Sequence, residues 1–283
     1  MTGPMRRRIV RRFVPIALGA ALVGLVAWSR VRPSNARNWI PEQAVMPRAT
    51  FEGSRVRIEG FRDWDWHAPS EPVARFETRE YDLDRIESVW YVVAPFDREW
   101  RGPAHSFLSF GFADSQYVSI SVEARREVGE TYSIAGGLLK RFEILYVVGD
   151  ERDLIGQRVF RNDDEVLVYP VRATHDAIRA LFVEMLERAN QLADQPEFYG
   201  TLRNNCTTNI LRHVNRLAPE PIPFGPRVLL PGWSDGLALE RGLLDTELPL
   251  AAARERFRVN DRVRRFIERP DFSAAIRHSG GSS

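Results

Sequence analysis

The sequence predicts an α+β domain, a mostly antiparallel sheet with helices packed on one side, carried behind one N-terminal transmembrane helix. Three observations predict it. Apolar runs of strand length fill roughly the first 170 residues after an uncharged stretch near the start, and helical apolar spacing takes over beyond them.

The uncharged stretch is "FVPIALGAALVGLVAWS", residues 13–29, preceded by Arg6, Arg7, Arg8, Arg11 and Arg12 and followed closely only by Arg30 and Arg32. Seventeen uncharged residues are about the minimum that spans a bilayer core. A buried core helix would not begin with five arginines. By the positive-inside rule residues 1–12 stay in the cytoplasm and the rest is exported. No small-x-small site directly follows, so an uncleaved signal anchor is expected, with Ser34 and Ala36 of "PSNARN" as the alternative processing site.

The formal net charge is +2, and all basic residues except Lys140 are arginine. Because Arg6, Arg7, Arg8, Arg11 and Arg12 alone supply five positive charges, the remainder is net acidic, which argues against a nucleic-acid partner. A single cysteine excludes an intramolecular disulfide framework and a Cys-rich metal site, and the five histidines are scattered. Neither a structural metal nor a cofactor is expected.

The elements follow in order. After a loose linker over 30–53, "RVRIEGFRDWDW" and "EPVARFETREYDL" alternate as half-buried strands do, and "RIESVWYVVAPF" is continuous enough for a central strand. "HSFLSFGF" and "QYVSISVEAR", separated by "ADS", read as a hairpin, and "RFEILYVVGD" and "EVLVYPVRA" as further strands. Ile178, Leu181, Phe182, Met185, Leu186, Ala189 and Leu192 repeat at helical spacing between Thr174 and Ala193. Ile210, Leu211, Val214 and Leu217 form a second helix that stops before Pro219. Residues 219–236 read as a long loop that either covers a site as a lid or packs against it. A charged helix lies within 225–275, and 276–283 reads as a disordered tail.

The only cysteine, Cys206, stands in "LRNNCTTNIL", where Asn204, Asn205 and Thr207 are helix-capping residue types and the apolar spacing starts just beyond. Unpaired N–H groups at a helix start stabilise a thiolate. A nucleophilic thiol also wants an imidazole to take and return its proton. His213 lies seven residues on, roughly 10 Å along the same helix, and reads as a packing or surface histidine. His67 and His175 have no marking companions, and His278 is in the tail.

His105 differs because it opens a strand. Strand alternation puts His105, Phe107 and Ser109 on one face and Leu108, Phe110 and Phe112 on the other. In the partner strand Ser119, Ser121 and Glu123 share the His105 face, and a three-residue turn puts Glu123 opposite His105. A register slipped by two would put Arg125 there instead. A carboxylate beside an imidazole fixes its tautomer and stabilises the imidazolium, so Cys206, His105 and Glu123 form a candidate nucleophile, base and orienter. Ser109, Ser121, Asn204, Asn205 and Thr207 are supporting candidates. Asn204 and Asn205 serve either as caps or as oxyanion donors.

"AHSFLSFGF", "SVEARRE", "YVVGDERDLI", "YPVRAT" and "FYGTLRNNCTTNILRHVN" resemble the Lnb N-terminal periplasmic domain family. The resemblance covers about 54–224 and implies a papain-like thiol fold in which His105 and Cys206 carry acyl transfer. His precedes Cys here, the reverse of papain and NlpC/P60 peptidases. That permuted order is similar to the lecithin-retinol acyltransferase branch and points by analogy to lipid acyl chemistry.

The leading expectation is a periplasmic thiol acyltransferase or hydrolase of the bacterial inner membrane, anchored in the lipid bilayer by its N-terminal helix and acting on a phospholipid or lipoprotein ester. A peptidoglycan amidase or endopeptidase is the second reading, and a non-catalytic envelope scaffold the third. A lone cysteine without a resolving partner makes a redox role the weakest.

Overall fold

The computed structural model describes residues 18, 19, 22, 24, 26, 28–67, 72–97 and 99–277. The chain divides into two units, Met1–Ser34 and Asn35–Ser283. In the first, Leu18, Leu22, Val26 and Trp28 are helical and exposed. Among the described residues no helix is long and apolar enough to cross a membrane. Much of the expected anchor at 13–29, and all of 1–12, lies outside the described residues.

Among the described residues the second unit has eight strands: β1 (Arg48–Glu52), β2 (Arg55–Arg62), β3 (Phe76–Asp82), β4 (Ile86–Pro95), β5 (Ala104–Phe112), β6 (Tyr117–Arg125), β7 (Glu143–Asp150) and β8 (Leu167–Pro170). They run β1-β2-β7-β6-β5-β4-β8, with β3 also paired to β2. All pairings are antiparallel except β2 with β7, which meet in parallel at Arg62 and Gly149. The sheet is therefore mixed and mostly antiparallel. Gly149 permits that junction, since a Cβ there would lie 2.5 Å from the Arg62 carbonyl oxygen.

The helices are α1 (Ile134–Leu138), α2 (Glu151–Gly156) running into a π turn at Gln157–Arg161, α3 (His175–Asp194), α4 (Cys206–Leu217), α5 (Pro226–Leu229), α6 (Ser234–Glu240), α7 (Leu250–Phe257), α8 (Asn260–Phe266) and α9 (Phe272–Ala275). On one sheet face Leu108, Phe110, Val118 and Ile120 pack against Phe182 and Met185 of α3 and Ile210 of α4. On the other, Val92, Phe107, Leu145 and Val147 pack against Leu154 of α2, Val263 of α8 and Phe272 of α9.

Helices thus cover both faces, which corrects the one-sided expectation. The physical reason is visible in β4 and β7, whose near-continuous apolar runs need cover on each side. Part of that cover is α2, begun by an Asp150 side chain that accepts from Arg152 N.

Four other expectations change. The linker over 30–53 contains β1. The single charged C-terminal helix is two, α7 and α8, because Arg258 is extended (φ −66°, ψ 127°) and Val259 N bonds to Val166 O. Residues 219–236 are largely ordered by α5, a 3-10 turn at Pro231–Trp233 and the start of α6. Ile276 and Arg277, read as the start of a tail, are built into the fold. Ile276 is buried in the second core, and Arg277 pairs with Glu151. Residues 278–283, including His278, lie outside the described residues.

A buried ion pair ties β2 to α2. Arg62 Nε and Nη2 donate to Asp153 at 2.8 and 2.9 Å, and Trp64 N and Trp66 Nε1 donate to the same carboxylate. Both charges are fully buried and bidentate, so neither can be lost alone without stranding the other.

Candidate active site

Helix α4 starts at Cys206 because Asn205 caps it. Asn205 Oδ1 accepts from Thr208 N at 2.9 Å, while Thr208 Oγ1 accepts from Asn205 N at 2.9 Å, a reciprocal capping box. Asn205 Nδ2 braces Thr201 O at 2.6 Å, and Asn204 joins Phe198 O and Asn209. Both asparagine side chains are therefore occupied as cap and brace. The backbone N–H groups of Cys206 and Thr207, at the first two helical positions, have no acceptor within the helix.

Cys206 is buried, with Sγ 3.7 Å from Thr207 Oγ1, and Thr207 in turn reaches Ser106 Oγ at 2.8 Å. The helix thus sits on the Leu108 face of the sheet, whereas alternation puts His105 on the Phe107 face. The two meet because Cys206 stands at the sheet's end, beside Ala104, where β5 begins. There a cavity of about 900 Å³, counting its open mouth, is lined by Cys206, His105 and Glu123 together with Tyr132, Arg158 and Tyr199.

The β5–β6 ladder pairs Phe107 with Ser121 and Gly111 with Tyr117. Continued by one pair of residues, that register sets Glu123 opposite His105, so the alternative with Arg125 does not arise. Arg125 instead bonds Gln43 O, Ala44 O and Asn35.

His105 Nε2 lies 2.6 Å from Ser121 Oγ and 4.0 Å from Glu123 Oε1, and Ser121 Oγ donates to Glu123 Oε1 at 3.1 Å. A serine has one proton to give. Having given it to the carboxylate, Ser121 accepts from His105 Nε2–H, which leaves Nδ1 with the lone pair.

Glu123 is further held by Gln43 Nε2 at 2.7 Å and Arg158 Nη2 at 3.4 Å. Burial opposes its charge, but Arg158, Arg62 and His105 together hold its pKa down at about 2. His105 is pushed down to about 3 by burial and by Arg158, which outweigh Glu123. The resting pair is a carboxylate and a neutral imidazole. No hydrogen bond joins Cys206 to His105.

Tyr132 and Tyr199 share the cavity and an edge-on ring contact. Burial raises both phenol pKa values, and a charge on Cys206 raises them too, so both remain hydroxyl donors. On its other side Cys206 borders an apolar trough of about 920 Å³, lined by Phe96, Ile134, Leu202, Leu229 and Leu230. A third, nearly apolar cavity of about 690 Å³ lies behind the first turn of α4, with Thr207 on its border.

The sequence profile of the Lnb N-terminal periplasmic domain matches residues 73–231, more than half of the chain. This chain belongs to the Lnb N-terminal periplasmic domain family. No curated protein and no solved structure matches it. The Lnb N-terminal periplasmic domain match encloses Cys206, His105, Ser121, Glu123 and Arg158, whereas Gln43 and Arg62, which support Glu123, precede it.

Of the supporting candidates, Ser121 joins the site and Thr207 adjoins the thiol. Ser109 does not take part: its hydroxyl donates to the buried Glu151 at 2.5 Å. His213 is a buried packing residue 2.8 Å from Tyr146 Oη. Sequence reasoning missed Gln43, Arg158, Tyr132 and Tyr199. Arg158 was findable through Asp150 and the spacing of Leu154, Ile155 and Val159, which mark a helix around it. Gln43 sits in a three-residue turn with no periodicity to reveal it.

Proposed function

We propose that this envelope protein is a cysteine-dependent acyltransferase or hydrolase, held at the periplasmic face of the inner membrane by residues 13–29 and acting on acyl esters of phospholipid or lipoprotein. The observation that carries the reading is that Cys206 lines both the cavity holding His105 and Glu123 and an apolar trough suited to an acyl chain.

In the proposed cycle, the Cys206 thiol proton passes to His105 Nδ1 across the shared cavity while Sγ bonds to the ester carbonyl carbon. The carbonyl oxygen takes up negative charge beside the N–H groups of Cys206 and Thr207 and the hydroxyls of Tyr132 and Tyr199. As the tetrahedral centre collapses, the C–O bond to the alcohol breaks and His105 returns the proton to that oxygen, leaving a thioester. An amine or water then attacks the thioester, His105 again moves the proton, and the thiol is regenerated. Glu123, through Ser121, holds the ring orientation and favours the transient imidazolium.

The test is intact-mass analysis of the full chain incubated with phospholipid vesicles. The expected result is an acyl-sized, hydroxylamine-labile adduct on Cys206, absent in Cys206→Ala. A muropeptide-derived adduct instead would favour the amidase or endopeptidase reading. No adduct with either, with envelope function retained by Cys206→Ala, would favour the scaffold.

A further inference from the structure

We infer that the rim of the Cys206 trough is a membrane-docking surface that seats the domain on the periplasmic leaflet, so that a lipid ester enters from the bilayer. This inference rests on the proposed acyl-ester reading. Three trough residues from three separate segments, Phe96, Ile134 and Leu202, stand beside Trp100, Leu138 and Leu139 in sequence, and all six are between 47% and 64% exposed. Scattered exposed apolar residues are ordinary, but Phe96, Ile134 and Leu202 converge on one cavity, and such a convergence marks an interaction surface.

Helix α1 makes the case specific. Its glycines face inward: a Cβ on Gly136 would come within 2.7 Å of the Phe142 ring, and one on Gly137 within 3.2 Å of Tyr199. Its large apolar residues, Ile134 and Leu138, are exposed. This is the reverse of a helix made for water, which buries its bulky apolar face. Lys140 and Arg203, adjacent in sequence to Leu139 and Leu202, bring positive charge suited to anionic headgroups.

A bilayer fits better than a protein partner because of where the chain enters the folded unit. Asn38 O accepts from Val128 N at 2.8 Å, Ile40 N donates to Arg126 O at 3.0 Å, and Gln43 holds Glu123. These contacts sit at the end of β6 that frames the cavity. Residues 30–34 alone separate the apolar run from Asn35, a reach of at most about 18 Å. That short segment limits how far Asn35 can lie from an anchor formed by 13–29.

The experiment uses the full chain carrying Cys206→Ser, reconstituted in phosphatidylethanolamine and phosphatidylglycerol vesicles. Nitroxides are placed on a cysteine introduced at Leu138, at Trp100, or at Gln116 on the far end of the β5–β6 hairpin. The oxygen-to-nickel-chelate accessibility ratio is expected to rise severalfold at Leu138 and Trp100 over Gln116. Equal ratios overturn the proposal, as do rim labels that are immobilised yet water-accessible, the mark of a protein partner. A Leu138→Asp, Trp100→Ser double variant is expected to lose roughly tenfold in turnover of a vesicle-borne ester and to keep turnover of a soluble short-chain ester. Equal loss on both esters overturns it. If rim labels insert while neither ester is turned over by the unmodified chain, the docking stands and the acyl-ester reading fails.

Discussion

Glu123 reaches His105 through an intermediary: the carboxylate Oε1 stands 4.0 Å from the imidazole Nε2, and the Ser121 hydroxyl fills the gap with bonds of 2.6 and 3.1 Å. The serine sets the direction of both hydrogen bonds and, with them, the ring tautomer. It leaves Nδ1 as the imidazole nitrogen with a free lone pair.

Ser121→Ala is accordingly expected to slow Cys206 alkylation by iodoacetamide about tenfold at pH 7, less than the roughly 10²–10⁴-fold of a whole general base, because the imidazole stays and only its orientation is loosened. Ser121→Thr, which keeps the hydroxyl, is expected to restore most of the rate. Nitrogen-15 shifts of His105 add a readout that packing damage alone does not move: the Nε2–H tautomer should dominate with Ser121 and mix with the other without it. Unchanged tautomer populations would count against the bridge.

Acid should weaken the fold through the same pair. His105 titrates near 3 in the folded state against 6.5 unfolded, so below pH 6.5 the unfolded chain binds the extra proton and stability falls as pH drops towards 3. Glu123, lowered from 4.5 to about 2, contributes stability that is complete above pH 4.5 and is lost as pH falls towards 2. Thermal melts from pH 7 to 4 should show a decline that is shallower in His105→Gln. Parallel curves for the two proteins would place the acid sensitivity elsewhere.

Removing Arg62 should be costly. Arg62→Met leaves Asp153 charged and buried, at about 3–5 kcal/mol by denaturant unfolding. Adding Asp153→Asn should recover part of that loss, because the stranded charge is gone while the single amide oxygen still accepts from one of the two donors, Trp64 N or Trp66 Nε1. No recovery in the double variant would mean that packing around Arg62, and not charge, sets the cost.

The cap of α4 links stability to chemistry. Asn205→Ala should cost about 1 kcal/mol and loosen the first turn, whereas Asn205→Ser keeps an acceptor and should cost less. Both are checked by chemical denaturation together with the Cys206 alkylation rate. Equal stability in the two variants would show that the Thr201 brace, and not the cap, is what Asn205 supplies.

Much of this is legible in the sequence. The β5–β6 register could be read because Leu108, Phe110, Val118, Ile120 and Val122 must share one face, and a strand slipped by one residue would turn its apolar set to the opposite face. The start of α4 at Cys206 could be read because asparagine and threonine ahead of an apolar stripe cap a helix. Local chemistry and short-range periodicity decide such features, and a sequence carries both. The second helical layer was hidden because a strand buried on both faces does not say what covers it.

The sequence by itself determined the strand order of β5 and β6, the helix start at the thiol, the face shared by His105, Ser121 and Glu123, and the resemblance that the family match bears out. Only the tertiary structure decided that Cys206 and His105, on opposite faces of the sheet by alternation, line one cavity at its end. It alone brought Gln43 and Arg158 onto Glu123 and turned the glycines of α1 inward. These juxtapositions join residues from 35 to 101 positions apart in sequence. They depend on the packing of whole elements, which local side-chain spacing does not encode.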